Sequence, residues 1–218
     1  MNMSEILTTT KALLQGVEVV TILFVVVLIA SIPLGFVLTL LSRCRIAPVR
    51  WVVNAYIYVV RGTPLMLQLF FIYFGLPYLP VVGKMLVLSG FSSALVGYTL
   101  NYAAYFAEIF RGGLLAVDKG QYEAAQVLGF SKAQTIVRIV MPQMIRVALP
   151  SVTNESITLV KDTALMYAVA VPEILHYAKV AVSRTANPMA FVVAFVIYLI
   201  MNTILQLVFN WLEKKLAY

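Results

Sequence analysis

The chain has 218 residues, of which 62% are hydrophobic and only 11% charged, with a formal net charge of +7. Soluble domains carry about 25% charged residues, and a globule of this size cannot hide so much apolar surface from water. These figures exclude a soluble enzyme and a disordered chain, and they leave an integral membrane protein. The basic excess then reports on orientation in a bilayer rather than on nucleic acid. A single cysteine, Cys44, forbids an internal disulfide, and a single histidine, His176, forbids a two-histidine metal site.

A bilayer core needs roughly 20 apolar helical residues. In chain order, residues 19–41, 85–107 and 189–212 meet that length without a charge. Two more segments meet it with defects. Residues 51–83 are interrupted by Arg61-Gly62-Thr63-Pro64, and residues 147–172 contain Glu155, Lys161 and Asp162. The expectation is an all-α membrane protein of five transmembrane helices forming one domain over residues 1–218. The first span is too long for a signal-peptide core and has no small-residue cleavage site after it.

With the N-terminus outside, Arg43, Arg45, Arg50, Arg111, Lys119, Lys132, Arg138, Arg146, Lys214 and Lys215 are cytoplasmic. Lys11, Lys84, Lys179 and Arg184 are then outside. Basic residues accumulate in cytoplasmic loops, so the N-terminus is expected outside and the C-terminus inside.

The one sizeable hydrophilic stretch, residues 111–146 between the third and fourth spans, reads as helix, turn, helix. Residues 121–128 are good helix formers, and Gly129 suits the left-handed residue that ends a helix. Ser131 and Gln134 have capping-box spacing. A short helical knob outside the bilayer suits a groove on a soluble partner: Ala124 and Ala125 permit close approach, and Glu123 offers a charge. The same stretch also suits an amphipathic helix lying on the membrane.

Glu123-Ala124-Ala125, three residues, Gly129, nine residues and Ile139-Val-Met-Pro142 together resemble the EAA motif of ABC importer permeases, with Met141 where that pattern usually has Leu. Arg61-Gly-Thr-Pro64 with Gln68 is similar to a stretch of the polar amino acid uptake branch, and so is the run from Ala104 through Glu108 and Arg111 to Gly113. Asn154-Glu155 and Leu159-Val-Lys161-Asp162-Thr163 resemble its fourth-span segment. The resemblance runs over about residues 16–215.

It implies the transmembrane subunit of an ATP-driven importer in the bacterial cytoplasmic membrane, moving polar amino acids by alternating access. The implied partners are a cytoplasmic ABC ATPase dimer, a second permease subunit (identical or homologous), an extracytoplasmic substrate-binding protein and the amino acid, with no nucleic acid. ATP and Mg belong to the ATPase, so this chain is not expected to be an enzyme or to carry a cofactor. Asp118, Gly120, Glu123, Ala124, Ala125 and Gly129 become the candidate ATPase-coupling residues.

Charges inside a span are costly and mark a function or a pairing. On a helical wheel Ser151, Asn154, Glu155, Thr158, Lys161 and Asp162 fall within about 120°. One reading is structural neutralisation, Glu155 and Lys161 against each other or against a neighbouring helix. The other is a translocation pathway, in which Lys161 meets the carboxylate of an amino acid and Glu155 or Asp162 its ammonium.

In the second span Thr63 and Pro64 read as the N-cap and first residue of a new helix. Such breaks are tolerated where buried or lining a cavity, which adds Thr63 and Gln68 to the pathway candidates; alternatively Arg61 snorkels to headgroups. Asn101 and Tyr102 either line the pathway or, for Asn101, form a buried structural amide. Asn202, Gln206 and Asn210 read as interhelical glue, and Ser31, Gly35 and Thr39 as a close-packing face. Glu108 and Arg111 read as a local ion pair, and His176 as a solvated loop residue. No G-x-x-x-x-G-K-[ST], H-E-x-x-H or G-x-S-x-G stretch is present, so energy must come from a partner or a gradient. A gradient-driven carrier or channel is the alternative, although no inverted repeat is visible.

Overall fold

The computed structural model describes residues 3–80 and 83–216; Val81 and Val82, near the end of the second expected span, lie outside them. Every described element is helical. α1 (Met3–Leu41) is apolar over most of its length and begins well before the expected span. It buries one stripe, Leu13, Val20, Phe24, Val27, Ser31 and Thr39, and exposes Ile22, Val25, Ile29 and Val37, the division expected of a helix with protein on one side and lipid on the other.

α4 (Gly90–Ala116) stands at the centre of the bundle and packs on α1, α2, α3 and α7. The small-residue face on α1 does bring the two helices close. A Cβ on Gly35 would lie 2.7 Å from that of Phe106, and the Thr39 hydroxyl donates to the carbonyl of Ala107 at 2.9 Å.

Three helices are long and apolar enough to cross a membrane, and a fourth span counts if one bent pair is a single crossing. α4 is not among them, although residues 85–107 lack a charge. Its serines, tyrosines, Asn101 and glycines lower its hydropathy, and twelve of its 27 residues are buried. A helix wrapped by protein needs less lipophilic surface than one facing lipid.

The chain does break at Arg61-Gly62-Thr63-Pro64. α2 (Ala47–Arg61) and α3 (Leu65–Phe70, extended by tighter and wider turns to Tyr78) meet at 109°. α2 crosses α4 steeply: Val53 and Ile57 pack with Ala104 and Ala107, the Tyr56 hydroxyl donates to Leu100 O, and Arg61 reaches Glu108. α3 instead runs antiparallel to α4, with Gln68 at Asn101 and then Leu69 and Ile72 at Gly97. The two halves therefore do not share one axis.

After α5 (Lys119–Val127) and α6 (Lys132–Thr135), a wide turn at Ile136–Val140 leads directly into α7 (Met141–Asp162), and a tight helical stretch follows at Thr163–Val169. The second loop helix and the fourth expected span thus form one rod of 38 residues. α8 (Ile174–Thr185) packs at the end of the bundle opposite α5, and α9 (Met189–Leu216) returns along α7. The expected outer loop is therefore a helix. His176 lies in its first turn, half-buried between the rings of Tyr167 and Tyr177, not in a solvated loop.

Candidate functional site

Two groups of polar residues stand out, one within the bundle and one on the α5 knob. Within the bundle, the expected residues separate into three sets. Glu155 lines a cavity of about 510 Å³ together with Arg61, Tyr105, Glu108 and Ser151. Arg61 Nη1 stands 3.4 Å from Glu108 Oε2, and its guanidinium lies 5.3 Å from the centroid of the Tyr105 ring, an arrangement that supports a cation–π contact. Arg61 remains exposed, with its guanidinium turned toward Glu108 and Tyr105. Arg111 holds the same Glu108 through two hydrogen bonds of 2.9 and 2.7 Å, as the i,i+3 spacing suggested.

Thr63, Gln68 and Asn101 form the second set. Gln68 Nε2 donates to the carbonyls of Val60 and Thr63 and to the Thr63 hydroxyl, while Asn101 Nδ2 donates to Gln68 Oε1 at 2.9 Å. The freed backbone acceptors of the break are satisfied this way, as buried carbonyls require. Thr63 is not the N-cap: Pro64 holds that position with extended backbone, and the Thr63 hydroxyl donates back to Val59 O. A proline preceding the first helical turn leaves its carbonyl to start the ladder, and Leu67 N and Gln68 N both donate to it.

The third set lies along α7. Asp162 is half-buried; its Oδ2 accepts from the Tyr102 hydroxyl at 2.7 Å, and its carbonyl accepts from Tyr98. Asn154 and Lys161 are exposed and Thr158 is half-buried, forming an i, i+4, i+7 stripe that turns outward from this single chain. No ion pair joins Glu155 to Lys161 among the described residues, so mutual neutralisation does not account for them.

The knob is built as its sequence indicates. Asp118 Oδ1 caps α5 by accepting from Gly120 N at 2.7 Å, and a Cβ on Gly120 would lie 2.8 Å from that same oxygen. Gly129 has φ of +77°, and Phe130 N donates to Ala125 O, closing the helix. The Ser131–Gln134 capping box is present in both directions. Glu123 and Ala124 are exposed, but Ala125 is buried against its own chain, so its small size serves the internal packing of the knob. Val127 and Leu128 are 88% and 73% exposed, an apolar tip that sequence reasoning passed over. The signal was there in two adjacent aliphatics within a hydrophilic loop. A groove of about 570 Å³ lined by Tyr122, Gln126, Phe130, Lys132 and Ile136 opens beside it.

Sequence reasoning also missed Glu173, a fully buried carboxylate. It caps α8 by accepting from Leu175 N and His176 N, and it receives the Tyr198 hydroxyl from α9 at 3.0 Å. Its position just after Pro172 was the available signal. Gln206 and Asn210 bond to each other within α9, and among the described residues neither side chain bonds to a second helix. Among the described residues no group of three or more His, Cys, Asp or Glu side chains is placed to hold a metal ion.

The family described as binding-protein-dependent transport system inner membrane component matches residues 31–218. A probable amino-acid ABC transporter permease protein, YckA of Bacillus subtilis, is 36% identical over 206 residues, covering 94% of this chain and 89% of the relative. The arginine transport system permease protein ArtQ of the same organism is 36% identical, covering 94% and 92%. The L-cystine transport system permease protein TcyB, also from Bacillus subtilis, is 34% identical, covering 86% and 81%. Among solved structures, an amino acid ABC transporter crystallised with histidines is 27% identical with a TM-score of 0.88, covering 99% of each chain. The MetNI methionine ABC transporter, at 18% identity and a TM-score of 0.75, shares the fold. This chain belongs to the inner-membrane permease family of binding-protein-dependent transport systems, and it is a multi-pass component of that membrane.

Proposed function

We propose, from the premise that this chain is such a permease, that it forms the membrane path of an ATP-driven importer of polar amino acids. The observation that carries this reading is the polar stripe of Asn154, Thr158 and Lys161 turned outward beside the Glu155 cavity. Polar groups facing lipid are expensive, so the stripe calls for a second permease subunit, identical or homologous, with a hydrated path between the two. In this arrangement α4 serves as a span whose surroundings are protein. The chain crosses the membrane five times, with its N-terminus outside and its C-terminus in the cytoplasm.

An amino acid zwitterion needs one anionic and one cationic contact. Glu155 or Asp162 receives its ammonium, and Lys161 receives its carboxylate, with Arg61 a second cation on the cavity wall. Thr63, Gln68 and Asn101 hold the bend that shapes this wall.

The α5 knob is the ATPase-coupling element. Glu123 and Ala124 face a cleft of the cytoplasmic ABC ATPase, the exposed Val127 and Leu128 enter it, and Asp118, Gly120, Ala125 and Gly129 set the shape of the knob. ATP and Mg bind the ATPase, so hydrolysis occurs there and not in this chain. Cargo arrives from an extracytoplasmic binding protein, and the nature of the relatives directs the choice toward amino acids.

The test is uptake in cells expressing the complete transporter with Glu155→Gln or Asp162→Asn. Loss of uptake in at least one variant, with assembly and expression preserved, is expected. Undiminished uptake in both would defeat the proposed site.

A further inference from the structure

The turn between α1 and α2 carries Arg43, Arg45 and Arg50 within eight residues, and no Asp or Glu stands between Glu18 and Glu108 in the sequence. Among the described residues none of the three arginines is paired with a carboxylate. Arg43 and Arg45 are exposed, and Arg50 donates only to the Cys44 carbonyl, at 3.3 Å. Ile46 and Trp51, on either side of the start of α2, are 63% and 75% exposed.

The helix that follows crosses α4 steeply, buries Val53 and Ile57, and presents Trp51, Val52, Tyr58 and Val59 outward. With the α1–α2 turn inside, as proposed above, the start of this helix falls at the cytoplasmic membrane boundary. An exposed tryptophan at headgroup level and uncompensated arginines beside it are the complement of an anionic lipid surface.

We propose that the α1–α2 turn is a docking surface for anionic phospholipid headgroups of the cytoplasmic leaflet. Arg43, Arg45 and Arg50 take the phosphates, and the outward face of α2, led by Trp51, takes the upper acyl chains. The proposal rests on the inside placement of this turn given above.

The experiment uses the complete transporter, with its ATPase and binding protein, in phosphatidylcholine vesicles with and without one-third phosphatidylglycerol. In a Trp211→Phe background, with the signal of a matched Trp51→Phe, Trp211→Phe transporter subtracted, brominated phosphatidylglycerol should quench Trp51 more strongly than brominated phosphatidylcholine, and added salt should erase the difference. The combined Arg43→Gln, Arg45→Gln and Arg50→Gln variant should lose the preference, by about fivefold for each arginine. Equal quenching by the two lipids in the parent protein would overturn the proposal, as would a preference that survives the triple substitution. A triple variant that loses its ATPase on purification would also overturn it, assigning the arginines to an acidic protein surface. Labelling of Cys44, the sole cysteine, by an impermeant maleimide from outside the cell would instead remove the orientation on which the proposal stands.

Discussion

α4 and α9 are nearly equal in length, 27 and 28 residues, yet they occupy opposite situations. α4 is studded with tyrosines, serines and glycines, is less apolar than the helices that face outward, and sits in the middle of the bundle. α9 is more apolar and lies at the edge, burying Ala190, Ala194 and Ile197 while exposing Phe195, Leu199, Ile204 and Leu207. Hydropathy therefore follows what a helix faces. Inside a membrane bundle the helix in contact with most others can be less apolar than one at the edge, because small residues and hydroxyls let neighbours approach and bond.

Substitutions can break or sharpen that contrast. The largest effect is expected at the α1–α4 contact. Gly35→Leu drives a side chain into Phe106 Cβ and Ala103 O and should cost at least about 2 kcal/mol, read as a lowered melting temperature or loss of folded protein in detergent. The same gain of four side-chain carbons on the exposed face of α9, Val208→Phe, should leave the melting temperature unchanged. Equal damage at both sites would end the contrast.

Next comes Tyr102→Phe, which removes a hydrogen bond to Asp162 but keeps the ring. A loss of about 1.5 kcal/mol is expected by thermal unfolding. If Asp162 takes part in transport, uptake should fall further than that stability loss explains.

Asp118→Ala removes the α5 cap and should cost about 1 kcal/mol. The deficit should appear as faster hydrogen exchange in residues 119–127 while α4 keeps its protection.

The smallest effect is expected from Gln206→Leu on α9, within about 0.5 kcal/mol. If that substitution dissociates a permease pair instead, α9 faces protein in the assembly and the comparison must be redrawn.

The parts that were legible in the sequence are those governed by local chemistry. Gly129 had to be left-handed at the end of α5, Ser131 and Gln134 had to cap, and Arg61-Gly62-Thr63-Pro64 had to interrupt a helix. Each depends on neighbours a few residues away. What escaped depends on partners distant in the chain. Thr63 looked like a cap, but the proline after it and Gln68 five residues on gave its hydroxyl other work.

Ala125 looked available until the following helices covered it, and His176 looked like a loop residue until Glu173 capped the helix that contains it. The candidate pathway was readable as a helical sector on one element. Its division into the Glu155 cavity, the Gln68–Asn101 network and the Tyr102–Asp162 bond required α4, which supplies Asn101, Tyr102 and Tyr105 from a different part of the sequence.

The run from Lys132 to Val169 has a mechanical corollary. About 46 Å of helix, from Lys132 to Asp162, joins the foot of the knob to the level of the acidic residue, interrupted by a wide turn at Ile136–Val140 and by Pro150, with a tight turn beyond it at Thr163–Val169. Such a connecting rod transmits a sideways push on its foot with little loss over most of its length. Whatever bending occurs should concentrate at those two turns, one just above the knob and one just beyond the acidic residue, and at Pro150 between them.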